Sequence, residues 1–359
     1  MSSGVMILAG GTGGHIYPAL AVAEHLRAEG VSLSWLGSAQ GMEASIVPRH
    51  DIPFRTVKVA GLRGKGLLGW LCAPFMIVKA TLQAMHVLRE VEPGVVLGMG
   101  GFVSGPGGLA AWLCRRPLVI HEQNAIPGLT NRLLAKIATR ILEAYPHSFV
   151  PAVRARCTGN PVRRAIAAIA PPASRVHDAG PARVLVVGGS LGARSLNTWV
   201  PRAVAGLAGI AVEIWHQTGR AAVDDTAALY RSLGLAARVV PFIDDMPAAY
   251  AWADLVICRA GAMTVAELAA AGCASVLVPY PHAVDDHQTA NARYLAEAGA
   301  AEVVADAALA GGALAPLLQR LLSDRRQLLD MATRARAAGR PAAATAVATQ
   351  CMELLDVQG

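Results

Sequence analysis

Short, mostly apolar runs punctuate the whole chain: Val5 to Ala9, Leu33 to Leu36, Val95 to Leu97, Leu118 to Ile120, Val184 to Val187, Val212 to Trp215, Leu255 to Cys258 and Ser275 to Val278. Longer amphipathic stretches lie between them, the first being Ala19 to Arg27. A strand without polar alternation is one covered on both faces, as in a parallel sheet between two layers of helices. The pattern therefore predicts an α/β protein whose strands and helices alternate.

Three of the apolar runs end in glycine-rich loops: Gly10-Gly11-Thr12-Gly13-Gly14-His15, Gly98-Met99-Gly100-Gly101-Phe102-Val103-Ser104-Gly105-Pro106 and Gly188-Gly189-Ser190-Leu191-Gly192-Ala193-Arg194. Strand, glycine turn and helix start together offer unpaired main-chain N–H groups to an anion. No loop has the G-x-G-x-x-G dinucleotide spacing, which disfavours hydride transfer, and no Gly-Lys-Ser/Thr follows as in a Walker loop. The third loop repeats the first at an offset of 178 residues, about half the chain. Two similar doubly wound domains facing a cleft are expected, over 1–161 and 162–342. The Pro/Ala-rich stretch from Ala167 to Pro181 reads as their connection.

Composition narrows the partners. The 359 residues are 54% hydrophobic, and Leu67 to Val78 is uncharged, with Pro74 inside and Arg63, Lys65 and Lys79 flanking it. Twelve residues are too few to span a bilayer, so the segment is either a buried helix or one that dips into an anionic interface. A net charge of +7 favours phosphates or an anionic membrane surface. Nucleic acid is disfavoured: four lysines accompany 28 arginines, and only 5% of residues are aromatic. Six scattered cysteines without C-x-x-C pairs read as reduced thiols, and Met1 to Gly4 carries no basic leader, so a cytoplasmic protein is expected.

Further candidates follow later strands. Arg259-Ala260-Gly261-Ala262-Met263-Thr264 opens a helix that carries Glu267. Thr264 and Glu267 fit a capping box, which would fold the carboxylate back on its own helix start; the alternative is a carboxylate that holds both hydroxyls of a ribose. His282, Asp285, Asp286 and His287 lack the spacing of known metal sites, and no D-x-D occurs, so metal-independent chemistry without a cofactor is expected. A diphosphate would be neutralised by helix starts, loop amides and arginine. His121-Glu122-Gln123-Asn124 ends a strand, and His15 stands at the mouth of the first loop as the candidate general base.

These motifs, with Gly61 to Gly66, Gly159-Asn160-Pro161-Val162-Arg163 and Phe242-Ile243-Asp244-Asp245-Met246, resemble the MurG family over nearly the full length. The resemblance implies the GT-B fold, with a C-terminal helix over 343–359 that crosses back to complete the first domain, and inverting transfer of N-acetylglucosamine from UDP to the C4 hydroxyl of the muramoyl sugar of lipid I, giving lipid II. By that likeness Phe242 and Ile243 flank uracil, Glu267 holds the ribose, and Arg163, Ser190 and the first turn Ala262, Met263 and Thr264 meet the diphosphate. Asn124 and Gln288 read the sugar hydroxyls, with Thr12, Gly13 and Gly14 beside the donor. The acceptor diphosphate falls to Gly11, Thr12, Gly13, Gly14, Gly100, Gly101 and Ser104. Arg63, Lys65, Leu67, Leu68, Trp70, Leu71 and Phe75 would lie against the inner membrane as a peripheral surface, and cell-wall or division proteins are conceivable partners. Leu191, Phe102 and His287 depart from the family's usual Gln, Tyr and Gln, so the first two are left out of the site. Other readings are a different enzyme of this fold, such as a UDP-N-acetylglucosamine 2-epimerase or a transferase with a soluble acceptor, and a non-catalytic nucleotide-sugar-binding membrane protein.

Overall fold

The structure, a computed structural model, describes residues 4–58, 67–175, 180–189 and 191–357, with only the main chain of 67–73. Arg63, Lys65 and Ser190 lie outside the described residues, as do the side chains of Leu67, Leu68, Trp70 and Leu71. The chain divides into two compact units, Met1–Arg163 with Pro341–Gly359, and Arg164–Arg340.

In the first unit the strands are β1 (Val5–Leu8), β2 (Leu33–Ser38), β3 (Phe54–Val57), β4 (Val95–Gly98), β5 (Leu118–Glu122), β6 (Arg140–Glu143) and β7 (Arg156–Cys157). They form one parallel sheet in the order β3-β2-β1-β4-β5-β6-β7. The second unit has β8 (Ala182–Val187), β9 (Val212–Gln217), β10 (Arg238–Val240), β11 (Leu255–Cys258), β12 (Ser275–Leu277) and β13 (Ala301–Val303), in the order β10-β9-β8-β11-β12-β13. Each first strand is thus central, with the chain winding outward on both sides, as in a doubly wound fold. Its apolar run is buried throughout in β1, and nearly so in β8, because helices cover both faces.

The strands that the apolar pattern passes over are mostly peripheral. β3, β10 and β13 are edge strands of three or four residues, with Arg55 and Thr56, Arg238, and Val303 exposed. An edge strand is covered on fewer sides, so charged and polar residues are tolerated and the apolar signal disappears.

The C-terminal helix Ala343–Asp356 belongs to the first unit. It packs on the helix Gly13–Ala28 and adds Val347, Ala348 and Cys351 to the core beneath β1 and β4. Arg140 of β6 fastens it by donating to the Gln350 carbonyl (3.2 Å) and side chain (3.0 Å) and by pairing with Glu353. Full burial of an aliphatic side chain such as Val347 contributes about 1.5–3 kcal/mol.

The segment Leu67 to Val78 lies in a helix that runs from Leu67 to Val91. Ala80, Thr81, Ala84, Val87 and Leu88 form its buried stripe, whereas Phe75 (81% exposed), Ile77, Val78 and Leu82 face solvent. Of the two readings of this segment, the buried helix fails from Phe75 onward. Burial pushes the thiol of Cys273 up to about 11 and that of Cys351 up to about 12, which keeps both protonated.

Candidate functional site

In the first unit the loop after β1 is pressed between two other segments. Behind it is Glu43, fully buried, whose carboxylate accepts from the amides of Gly11 (3.0 Å) and Ser38 (2.9 Å). A Cβ at Gly10 would meet that carboxylate at 2.4 Å. From the other side comes the loop after β4. Gly101 has φ +85°, and a Cβ there would stand 2.1 Å from the Gly10 carbonyl. Only glycine permits both that backbone angle and that approach.

This packing engages the polar groups of three predicted acceptor contacts with partners inside the unit. The Gly11 amide is committed to Glu43. Ser104 is fully buried, and its hydroxyl accepts from the Gly100 amide (3.0 Å) and lies within donating distance of the Leu8 (3.0 Å) and Gly100 (2.8 Å) carbonyls. Ser104 and Gly100 therefore brace the loop, with their polar groups turned inward. The helix start remains: Ile16 makes the first main-chain bond to Thr12 four residues back, so the amides of Gly13 and Gly14 precede the helical ladder and point out of its end.

His15 occupies the first turn of that helix, half-buried, with Nδ1 3.2 Å from Oε1 of Gln123. Burial lowers its pKa below the ordinary value, against the opposing field of Glu122. An imidazole kept neutral at physiological pH is the form that accepts a proton. Glu122 itself accepts from the Asn124 amide (2.9 Å) and side chain (3.2 Å), the Gly128 amide (3.1 Å) and Asn131 (2.9 Å). Asn124 is thus held at the carboxyl end of β5. Arg163 lies over the ring of Tyr17, 5.7 Å from its centroid, on the helix that begins with the first loop.

Beside this site runs an apolar groove of about 400 Å³, lined by Met76, Ile77, Ala80, Phe102, Gly105, Pro106, Leu109, Leu129 and Leu133 among others. Phe102, excluded on sequence grounds, is a half-exposed wall of it. Lys79, Arg132 and Lys136 are exposed nearby on the helices that form it or follow them.

The second unit brings three distant sequence stretches to one cavity of about 860 Å³. Gly188, Gly189, Leu191, Gly192 and Arg194 line it with Arg259, Gly261 and Thr264, and with Tyr280, His282 and Gln288. Two groups that sequence reasoning missed complete its wall. Arg259 donates to Asp306 (2.5 Å) and Ser195 (2.8 Å), and Ser195 donates to Asp306 (2.6 Å). Asp306 is 47 residues from Arg259, and no local pattern announces it. Gly192 has φ +78°, and a Cβ there would lie 1.9 Å from the Thr218 carbonyl. Leu191 projects into solvent, 95% exposed.

The helix Ala262–Ala271 settles the capping question. Its N-cap is Gly261, without a side-chain cap, and Val265 makes the first ladder bond to the Gly261 carbonyl. Glu267 is not folded back on this helix start: its Oε2 accepts from the hydroxyl of Tyr250 at 3.1 Å. The capping box is overturned because the helix begins two residues before Thr264. Burial, reinforced by Glu267, raises the Tyr250 pKa well above its ordinary value, so the phenol stays a donor. The amides of Met263 and Thr264 lie in the unpaired first turn. Phe242 is half-exposed, whereas Ile243 is buried. Gln288 accepts from the Tyr280 amide (2.9 Å), and His287 is turned to the Val284 carbonyl (2.7 Å). Ala262, Met263, Glu267, Phe242 and Ile243 fall outside the lining of the large cavity, which Thr264 and Gln288 share.

Two parallel α/β units, each with a glycine loop at the end of its central strand, define a GT-B glycosyltransferase. Residues 5–143 match the glycosyltransferase family 28 N-terminal domain and residues 183–347 its C-terminal domain. The chain is 53% identical over 356 residues to a protein of Nitrosococcus oceani named UDP-N-acetylglucosamine--N-acetylmuramyl-(pentapeptide) pyrophosphoryl-undecaprenol N-acetylglucosamine transferase, covering 99% of each chain. It is 52% identical to the protein of the same name in Aeromonas hydrophila, over 99% of this chain and 98% of that one. The crystal structure of MurG from Acinetobacter baumannii superposes with a TM-score of 0.86 at 42% identity, over 98% of this chain and 99% of that one. The chain belongs to the MurG family of glycosyltransferases.

Proposed function

We propose that the protein transfers N-acetylglucosamine from UDP-N-acetylglucosamine to the C4 hydroxyl of the N-acetylmuramoyl sugar of lipid I, with inversion and without a metal ion, giving lipid II. The observation that carries this reading is identity above half, over nearly the whole chain, to relatives named for that transfer. The sugar nucleotide is assigned to the second unit. There the amides of Met263 and Thr264 and the loop Gly188–Gly192, with Ser190, meet the diphosphate; Arg163, which ends the first unit, is the arginine proposed to neutralise it. Glu267 accepts the ribose hydroxyls, and Phe242 stacks on uracil while Ile243, being buried, offers its main chain. Gln288 and Asn124 read the sugar. In the first unit, Thr12, Gly13, Gly14 and Gly101 receive the acceptor's diphosphate, and His15 takes the proton of the attacking hydroxyl.

Positioning of hydroxyl and anomeric carbon is worth up to about 7–11 kcal/mol, and each well-aimed donor on the departing diphosphate adds about 3–4 kcal/mol. The acceptor is lipid-linked, and two features support a peripheral seat on an anionic membrane face: the exposed Phe75, Ile77, Val78 and Leu82, and the apolar groove that adjoins the Gly100–Ser104 loop. No helix among the described residues is long and apolar enough to cross a membrane. A soluble acceptor or an epimerase reaction leaves that apolar surface unexplained. The test is incubation of labelled UDP-N-acetylglucosamine with lipid I, with and without chelator. Chelator-resistant label in the lipid is expected; label in soluble sugar alone, or its loss with chelator, contradicts the acceptor or the metal-free step respectively.

A further inference from the structure

Behind His15 lies a chain of hydrogen bonds that can run in only one direction. It starts at the Gly159 carbonyl, which can only accept, 2.9 Å from Nε2 of His121. That nitrogen is therefore the protonated one. His121 is fully buried, and burial lowers its pKa to about 4, so the ring is neutral and Nδ1 holds a lone pair. Gln123 Nε2 donates to Nδ1 at 3.3 Å, sharing that proton with the His121 carbonyl at 3.3 Å, and donates its other proton to the Met99 carbonyl at 2.8 Å. Both amide protons are thereby engaged, and the orientation of the amide is fixed. Its oxygen must then face His15, whose Nδ1 lies 3.2 Å away. An acceptor at that position requires a proton on Nδ1.

We infer that Gln123, held by His121 and Met99, is a positioning residue that fixes His15 in the Nδ1–H tautomer, with Nε2 bare and aimed away from the amide. This rests on the reading of His15 as the base. A flipped Gln123 would present N–H to Nδ1, move the ring proton to Nε2 and leave nothing there to accept the acceptor's proton. The same bond serves after transfer, because imidazolium keeps its Nδ1–H on Gln123 and no group has to rotate. The ring also packs closely against the Gly100 backbone, where a Cβ would stand 2.5 Å from Nδ1. The charged groups around this ring are few. Glu122 on β5 raises its pKa, as do the hydrogen bonds to the Gln123 side chain and to the Met99 main chain; Glu43 stands behind Gly10 and Gly11, and Arg163 covers Tyr17 on the ring's own helix.

The experiment is long-range ¹H–¹⁵N spectroscopy of the full chain labelled at histidine, with the His15 signals assigned by their loss in His15→Asn. The wild-type spectrum is expected to show a protonated Nδ1 and a bare Nε2 for His15. Gln123→Leu is expected to mix the tautomers and to lower kcat about 10-fold or more with donor KM unmoved. In Gln123→Glu a carboxylate accepts from Nδ1 and favours imidazolium, so the acid limb of kcat moves to higher pH. A protonated Nε2 in the wild type, or an acid limb that stays in place in Gln123→Glu, overturns the inference. Undiminished turnover in His15→Asn removes the base reading instead, while the tautomer stands or falls on the spectrum alone.

Discussion

The two glycine loops that follow β1 and β8 occupy the same place in their sheets, yet one is backed by a charge and the other by neutral groups. Behind the loop at Gly10–Gly14 stands the buried carboxylate of Glu43, which uses up the Gly11 amide. Behind Gly188–Gly192 stand neutral groups, the Gln217 side chain donating to the Gly189 carbonyl (3.1 Å) and the Thr218 carbonyl against Gly192. The first loop offers an anion little beyond the amides of its helix start, and places a neutral imidazole beside them. The second opens onto a large cavity whose wall includes arginines. One backbone device is thus specialised by residues far away in sequence, and the proposed division of acceptor and donor between the units rests on that difference.

The strongest break of this comparison is His15→Ala. General base catalysis contributes about 10²–10⁴-fold, so kcat is expected to fall by that order with donor KM retained. An equal effect on donor KM would move the first loop to the donor. Next is Glu267 in the second unit: Glu267→Ala is expected to raise donor KM about 10- to 100-fold, the worth of hydrogen bonds to a charged group. It also strands the buried Tyr250 hydroxyl at a cost of about 1–3 kcal/mol, which Glu267→Gln restores without restoring affinity. Titration calorimetry with UDP and thermal melts separate the two effects.

Smaller, and sharper about the loops themselves, is a pair of alanine substitutions. Gly101→Ala meets the Gly10 carbonyl as well as a positive φ, whereas Gly189→Ala has φ +86° but open space. Melting should show about 3 kcal/mol or more lost in the first and about 1 kcal/mol in the second. Comparable losses would mean that the first loop yields more readily than its packing implies.

In the pH dependence the units should agree. His121 in the first and His216 in the second are held neutral by burial, at about 4 and about 3. The unfolded chain binds protons near 6.5 that the folded chain refuses, so stability is full above that value and declines as pH falls from 6.5 toward 4. Urea midpoints at pH 7, 5.5 and 4.5 read this slope. His15 shifts the same way, so kcat is expected to hold as pH falls to 6.5 and to decline only below it.

The sequence by itself determined the α/β class, the central strands, the glycine loops and their internal echo, because a strand buried on both faces and a loop at a helix start both demand particular residue types locally. It also carried the family motifs. It did not reveal edge strands such as β10, whose half-solvated positions accept Arg238, nor which of its two readings of Glu267 holds at the helix start. Tertiary structure alone decided that Ser104 and Gly100 brace a loop, that Glu43 closes the back of another, and that Asp306 pairs with Arg259. It also decided that Gln123 turns its oxygen to His15. The physical reason is common to all four. Hydrogen bonds and burial join residues whose separation along the chain has no period, and the direction of a polar group depends on every partner that surrounds it.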